Sequence, residues 1–115
     1  MARYATQADC NDEALAIQES DLIDADTYVD SVVLGLVNDL ADVSLPNPHL
    51  TLLAATYAMA LRAERSQGNS ESLGDKSRRY FANAERQASR LTRKLLGVEA
   101  SAASGGMGSI ALFRG

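Results

Sequence analysis

The chain has 115 residues, 46% hydrophobic and 5% aromatic, with 11 Lys and Arg against 15 Asp and Glu for a formal net charge of -4. That length supplies one domain core. One Cys and one His exclude an internal disulfide and the usual zinc ligand sets.

The charge is unevenly spread. Residues 1–61 hold one base, Arg3, and ten acids, whereas residues 62–115 hold ten bases and five acids. No apolar run approaches the ~20 residues of a bilayer span, and no signal-peptide apolar region opens the chain. A soluble protein of a reducing compartment, with no membrane partner, is the expectation.

Thr6-Gln7-Ala8-Asp9 has the spacing of a capping box and predicts a short helix over 6–17, with Ala14, Leu15 and Ile17 as its apolar surface. A second helix is predicted over 21–40. Asp21, Asp24 and Asp26 fall in its first turns, where carboxylates oppose the positive end of the helix dipole. Leu22, Ala25, Val29, Val32, Leu36 and Leu40 recur at three- and four-residue steps as one apolar stripe, widened by Val33 and Val37. Gly35 inside such a helix suggests a close helix–helix approach.

Leu45-Pro46-Asn47-Pro48 breaks the chain, and Asn47 suits an N-cap with Pro48 at the first helical position. The helix predicted over 48–66 is apolar nearly all round, through Leu50, Leu52, Leu53, Ala54, Ala55, Tyr57, Ala58, Met59, Ala60 and Leu61. Such a helix belongs at the centre of a core. Gly68-Asn69 is its expected terminator.

The fourth predicted helix runs from near Ser72 to Gly97. Ser77, Phe81, Ala84, Ala88, Leu91 and Leu95, spaced 4, 3, 4, 3, 4, form a narrow packing seam. Arg79, Arg86, Arg90 and Arg93 centre nearly opposite it, as a basic edge. Small residues over 100–109 then read as a flexible linker, leading to the apolar Ile110, Leu112 and Phe113, which suit docking onto another chain. The expected architecture is all-α: a small bundle of about four helices over 1–97, then a linker and docking tail over 98–115.

Familiar catalytic or cofactor-binding patterns are absent. Gly105-Gly106-Met107-Gly108 lacks the strand, the helix and the Lys of a phosphate loop. The acids over 21–30 lack the glycine and terminal Glu of a calcium loop. Cys10 reads as a small packing residue, His49 as a solvated imidazole, and Tyr28, Tyr57 and Tyr80 as core or interface residues. No catalytic residue, metal or cofactor is expected, and the chain reads as a non-enzyme.

The basic edge has three readings: a solvated face, a phosphate-binding row, or a docking edge for an acidic surface. The acids Asp21, Asp24, Asp26 and Asp30 offer such a surface on a second copy. A basic face meeting the next subunit's acidic face is a heterologous contact that closes into a ring.

Tyr4-Ala5-Thr6-Gln7-Ala8-Asp9 resembles the "YAT-x-AD" opening of the Mu-type head–tail adaptor proteins of tailed phages. Asp24-Ala25-Asp26-Thr27-Tyr28-Val29-Asp30 is similar to that family's acidic helix, and Leu45-Pro46 before a long Ala/Leu helix resembles its "LP" stretch. The likeness covers roughly 3–96 and includes the order of elements. It departs at Cys10, where the family carries an apolar residue, and in a short loop between the first two helices.

The resemblance implies a structural protein of the virion neck, made in the host cytoplasm. Such adaptors form a ring with copies of themselves, commonly of twelve subunits. The ring lies beneath the portal protein and meets a tail-side neck or tail terminator protein. DNA passes through its channel without sequence-specific binding. On that model Ile110, Leu112 and Phe113 anchor to the portal, while Arg79, Arg86, Arg90 and Arg93 face a neighbouring subunit or the portal. The alternative from the residues alone is a small helical nucleic-acid-binding or regulatory protein using the basic fourth helix.

Overall fold

The computed structural model describes residues 2–66 and 71–98, which form α1 (Glu19–Leu34), α2 (Pro48–Ser66) and α3 (Glu71–Arg90). Two 3-10 turns, Gln7–Asp9 and Leu40–Asp42, are the other regular elements, and no strand occurs among the described residues. The all-α class holds, but the described residues form three α-helices, not about four.

The expected first helix is one turn. Asp9 does reach back to the Thr6 amide at 2.8 Å, forming half of the capping box. The chain then leaves helical geometry at Cys10. Asp12 closes a separate turn by accepting the Ala14 amide on its side chain, at 3.1 Å, and the Leu15 amide on its carbonyl. Short Asx side chains compete with the helix ladder in this way.

α1 is also shorter than its apolar stripe. Gly35 is its C-cap, in right-handed geometry, and a Cβ there would meet only α1's own carbonyls, Val32 at 3.2 Å and Ser31 at 3.9 Å. It marks no helix crossing. Asp39 then caps the Leu40–Asp42 turn through the Ala41 amide at 2.9 Å. Leu36 and Leu40 still pack on the core, but from turns.

α2 begins where the Asn47-Pro48 cap predicts and is described to Ser66; the expected terminator, Gly68-Asn69, lies outside the described residues. Asn47 Oδ1 accepts the His49 amide at 2.9 Å and the Leu50 amide at 3.2 Å, while its Nδ2 donates to the Leu95 carbonyl at 3.0 Å. Leu50, Leu53, Ala54, Ala55, Ala58, Ala60 and Ala63 are buried along it. α2 packs on both α1 and α3. Ser77 donates to the Ala60 carbonyl and Gln87 Nε2 to Thr56 Oγ1, so α3 runs antiparallel to α2.

α3 stops at Arg90 instead of Gly97. Beyond it, Val98 donates to the Arg93 carbonyl at 2.9 Å and Gly97 to the Lys94 carbonyl at 3.0 Å, with Gly97 at φ 75. That is a Schellman closure on a left-handed glycine. The change of direction takes Leu96 into the core at 1% exposure and leaves Leu95 outside at 37%. Ser77, Ala84 and Leu91 of the predicted seam are buried, with Phe81 and Ala88 partly so.

Candidate functional site

Arg79, Arg86 and Arg90 lie exposed on α3, and Arg93 is exposed in the turn that follows. The Arg79 guanidinium stands 5.9 Å from the Tyr80 ring centre, Arg86 donates to Asn83 one turn back, and Arg93 Nη1 donates to the Leu36 carbonyl at 2.9 Å. Among the described residues, none of these four arginines has a carboxylate within ion-pair distance. Arg3, Arg62, Arg65, Lys76 and Arg78 all do.

The acids of α1 do not form an open partner surface. Asp21 is wholly buried and bound by Arg65 at 2.7 Å and Arg62 at 3.6 Å, while it also accepts the Gln18 amide at 3.0 Å. Asp24, the exposed member, pairs with Arg65. Asp26 is buried and accepts the Arg3 amide at 2.8 Å. Asp30 accepts from the Arg3 guanidinium and the Tyr4 hydroxyl. Of the expected partner surface, Asp21 and Asp26 are buried and do not face another subunit, whereas Asp24 and Asp30 keep some exposure; all four tie α1 to the end of α2 or to the N-terminal segment.

These pairings shift proton affinities. Burial works against the Asp30 carboxylate, but the hydrogen bonds from Arg3 and Tyr4, with the Arg3 charge, hold its pKa below the ordinary value. The Tyr80 hydroxyl, donating at 2.7 Å, lowers Asp12 first, and Lys76 at 2.9 Å adds to it. Burial and the carboxylate partners push Tyr4 and Tyr80 up to about 12. Burial pushes the half-buried Cys10 thiol up to about 11. His49 is exposed and joins no group of metal ligands; among the described residues no three His, Cys, Asp or Glu converge on one point. No helix among them is long and apolar enough to cross a membrane.

No family model, curated protein or solved structure matches the chain.

Two features escape reading by period. Asp21 and Asp24, and likewise Arg62 and Arg65, are three residues apart, so one acid pair faces one base pair across antiparallel helices. That matched spacing is the available signal. The second is an aromatic cleft of about 580 Å³ lined by Tyr28, Tyr57, Phe81, Arg78, Ala82 and Glu85. Tyr28 and Tyr57 stack with centroids 4.0 Å apart and planes 5° from parallel, and Phe81 stands edge-on to Tyr57 at 5.4 Å. Its rings come from three helices, so no local pattern announces it. Ile110, Leu112 and Phe113 lie outside the described residues.

Proposed function

We propose that the chain is a structural adaptor of a tailed-phage neck, a ring-forming subunit that docks beneath the portal and links head to tail. The observation that carries this reading is the row of Arg79, Arg86, Arg90 and Arg93, exposed and without intrachain carboxylate partners. A helical unit that pairs Arg3, Arg62, Arg65, Lys76 and Arg78 with carboxylates, yet leaves this row and the adjoining Lys94 unpaired among the described residues, is suited to an acidic partner surface. The likeness of residues 4–9 and 24–30 to the adaptor family supports the same reading. Because the α1 acids are already paired, the surface opposite the row belongs to the portal or to other acids of a neighbouring subunit. Ile110, Leu112 and Phe113 supply the apolar part of the attachment, and the role involves no reaction.

The decisive experiment mixes the purified protein with a candidate portal and images the product. Arg86→Glu with Arg90→Glu blocks ring attachment while changing stability by less than about 0.5 kcal/mol, the usual range for exposed sites. A charge-reversed protein that still joins the portal sinks the docking role of the row.

The same unpaired row favours a second reading, a nucleic-acid-binding or regulatory protein. Four arginines neutralising about four phosphates give a log–log salt slope near −3.6 on duplex DNA. The adaptor reading expects no such salt-sensitive affinity, so anisotropy titrations across salt separate the two.

A further inference from the structure

The Tyr28–Tyr57–Phe81 cleft has the features of a binding site that is not filled by the described residues. Among those residues, the Tyr4 and Tyr80 hydroxyls donate to Asp30 and Asp12, whereas the Tyr28 and Tyr57 hydroxyls have no hydrogen-bond partner. Both rings are part-buried, so their hydroxyls are open to a ligand at the edge of the cleft. At the rim, Arg78 is bound to Asp75, whereas Glu85 is exposed and has no ion-pair partner among the described residues. An apolar floor, two available hydroxyls and one free carboxylate fit a segment that brings apolar side chains followed by a cation.

We infer that this cleft receives the chain's own segment Ile110-Ala111-Leu112-Phe113-Arg114, with Leu112 and Phe113 against the rings and Arg114 on Glu85. The order of side chains matches the site. Eleven residues separate Val98 from Ile110, and at ~3.5 Å per residue they reach about 40 Å. That exceeds the ~30 Å length of a 20-residue helix such as α3. A tether of this kind gives an effective concentration of the order of millimolar, so a weak contact within one chain is populated before contact between chains.

A competing apolar patch lies at the start of α2, where Pro46, Pro48, Leu52 and Leu95 line two adjoining clefts. Its neighbours Arg90, Arg93 and Lys94 have no carboxylate partners among the described residues, so it would set Arg114 beside like charges. The carboxylate on that side, Asp9, is already held by the Thr6 amide and hydroxyl. Charge selects the aromatic cleft. The inference does not rest on the adaptor reading, but both draw on one segment: docked in the cleft, Ile110, Leu112 and Phe113 must leave it before they can attach to a portal.

A nitroxide on Gly115→Cys in a Cys10→Ser background tests it by NMR of the full chain. The ring signals of Tyr28, Tyr57 and Phe81 lose most of their intensity. Glu85→Arg restores the signals, and Glu85→Arg with Arg114→Glu bleaches them again. Bleaching at Leu52 and Leu95 instead, or nowhere, overturns the assignment. Bleaching that appears only when spin-labelled and isotope-labelled copies are mixed overturns docking within one chain. A label-free control compares the tyrosine ring shifts of the full chain with those of a chain ending at residue 106. The shortened chain keeps every described core residue, and identical shifts also overturn the inference.

Discussion

Replacing Asp21 by Asn separates a structural carboxylate from a surface one. The Asp21 side chain is 0% exposed and accepts from Arg65 at 2.7 Å and from the Gln18 amide at 3.0 Å, with Arg62 at 3.6 Å. Removing one partner of a buried pair usually costs 3–5 kcal/mol, because the other charge stays buried without compensation. Here the residual charges differ. Arg65 is 37% exposed and keeps Asp24, so water and that carboxylate relieve it; Arg62 is 13% exposed and loses its carboxylate. We therefore expect Asp21→Asn to cost about 2–3 kcal/mol. At ~4–8 °C per kcal/mol for a domain of this size, the melting temperature falls by roughly 10–20 °C. The control is Asp24→Asn, whose side chain is 51% exposed; exposed pairs contribute ~0.2–1 kcal/mol. Urea unfolding followed by far-UV circular dichroism measures both. Equal and small losses, below about 0.5 kcal/mol each, would refute the buried-clamp reasoning and return α1's acids to the open docking surface that the sequence suggested. A double-mutant cycle of Asp21→Asn with Arg62→Met should give a coupling of about 1 kcal/mol or more.

Cys10, with its thiol pushed up to about 11, has about a thousandth of its population as thiolate at pH 8. Thiol reagents should therefore label the folded protein far more slowly than the urea-unfolded chain. At low pH the depressed Asp12 and Asp30 contribute stability that is present above the ordinary carboxylate pKa and lost as pH falls through their lower folded values. At high pH the raised Tyr4 and Tyr80 act in the opposite sense. Their contribution is full below the ordinary tyrosine value of 10.0 and is lost as pH rises towards about 12. Melts across pH should show both flanks, with the alkaline one reduced in Tyr80→Phe. Ala58 is fully buried in α2; if the core around it is packed to the usual density, Ala58→Leu should cost about 1–3 kcal/mol in the same urea assay, and a neutral result would mean the added methylenes find space there.

α2 was legible in the sequence because its start and its environment are written in adjacent residues. Asn47-Pro48 can cap only one helix start, and apolar residues on every side demand neighbours on every side. The ends of α1 and α3 were not legible, because residues in turns reach the same core as residues in helices. Leu36 and Leu40 continue a helical period from outside a helix. Leu95 keeps the seam's spacing yet yields its place to Leu96 once Gly97 reverses the chain. The exposure of Arg79, Arg86, Arg90 and Arg93 followed from their spacing alone. The fate of the α1 acids did not, since pairing across 41 residues depends on which helix ends meet.

The two charge sets thus have different physical standing, although both looked like surfaces in the sequence. The acids of α1 hold elements together, with Asp21 gripping the end of α2, and Asp26 and Asp30 strapping Arg3 and Tyr4 down. Changing them alters whether the bundle forms. Arg79, Arg86, Arg90 and Arg93 contribute nothing comparable to cohesion, because their described contacts are a ring face, a side-chain amide and a carbonyl, with no carboxylate. Four like charges on one edge repel one another in the free subunit, and an anionic partner relieves that repulsion. If this edge binds an anionic partner as proposed, that binding should weaken with salt while folding by the buried α1 clamp is little affected, since mobile ions screen exposed charges far more than buried ones. Salt is the variable that separates what the charges do for the fold from what they do for a partner.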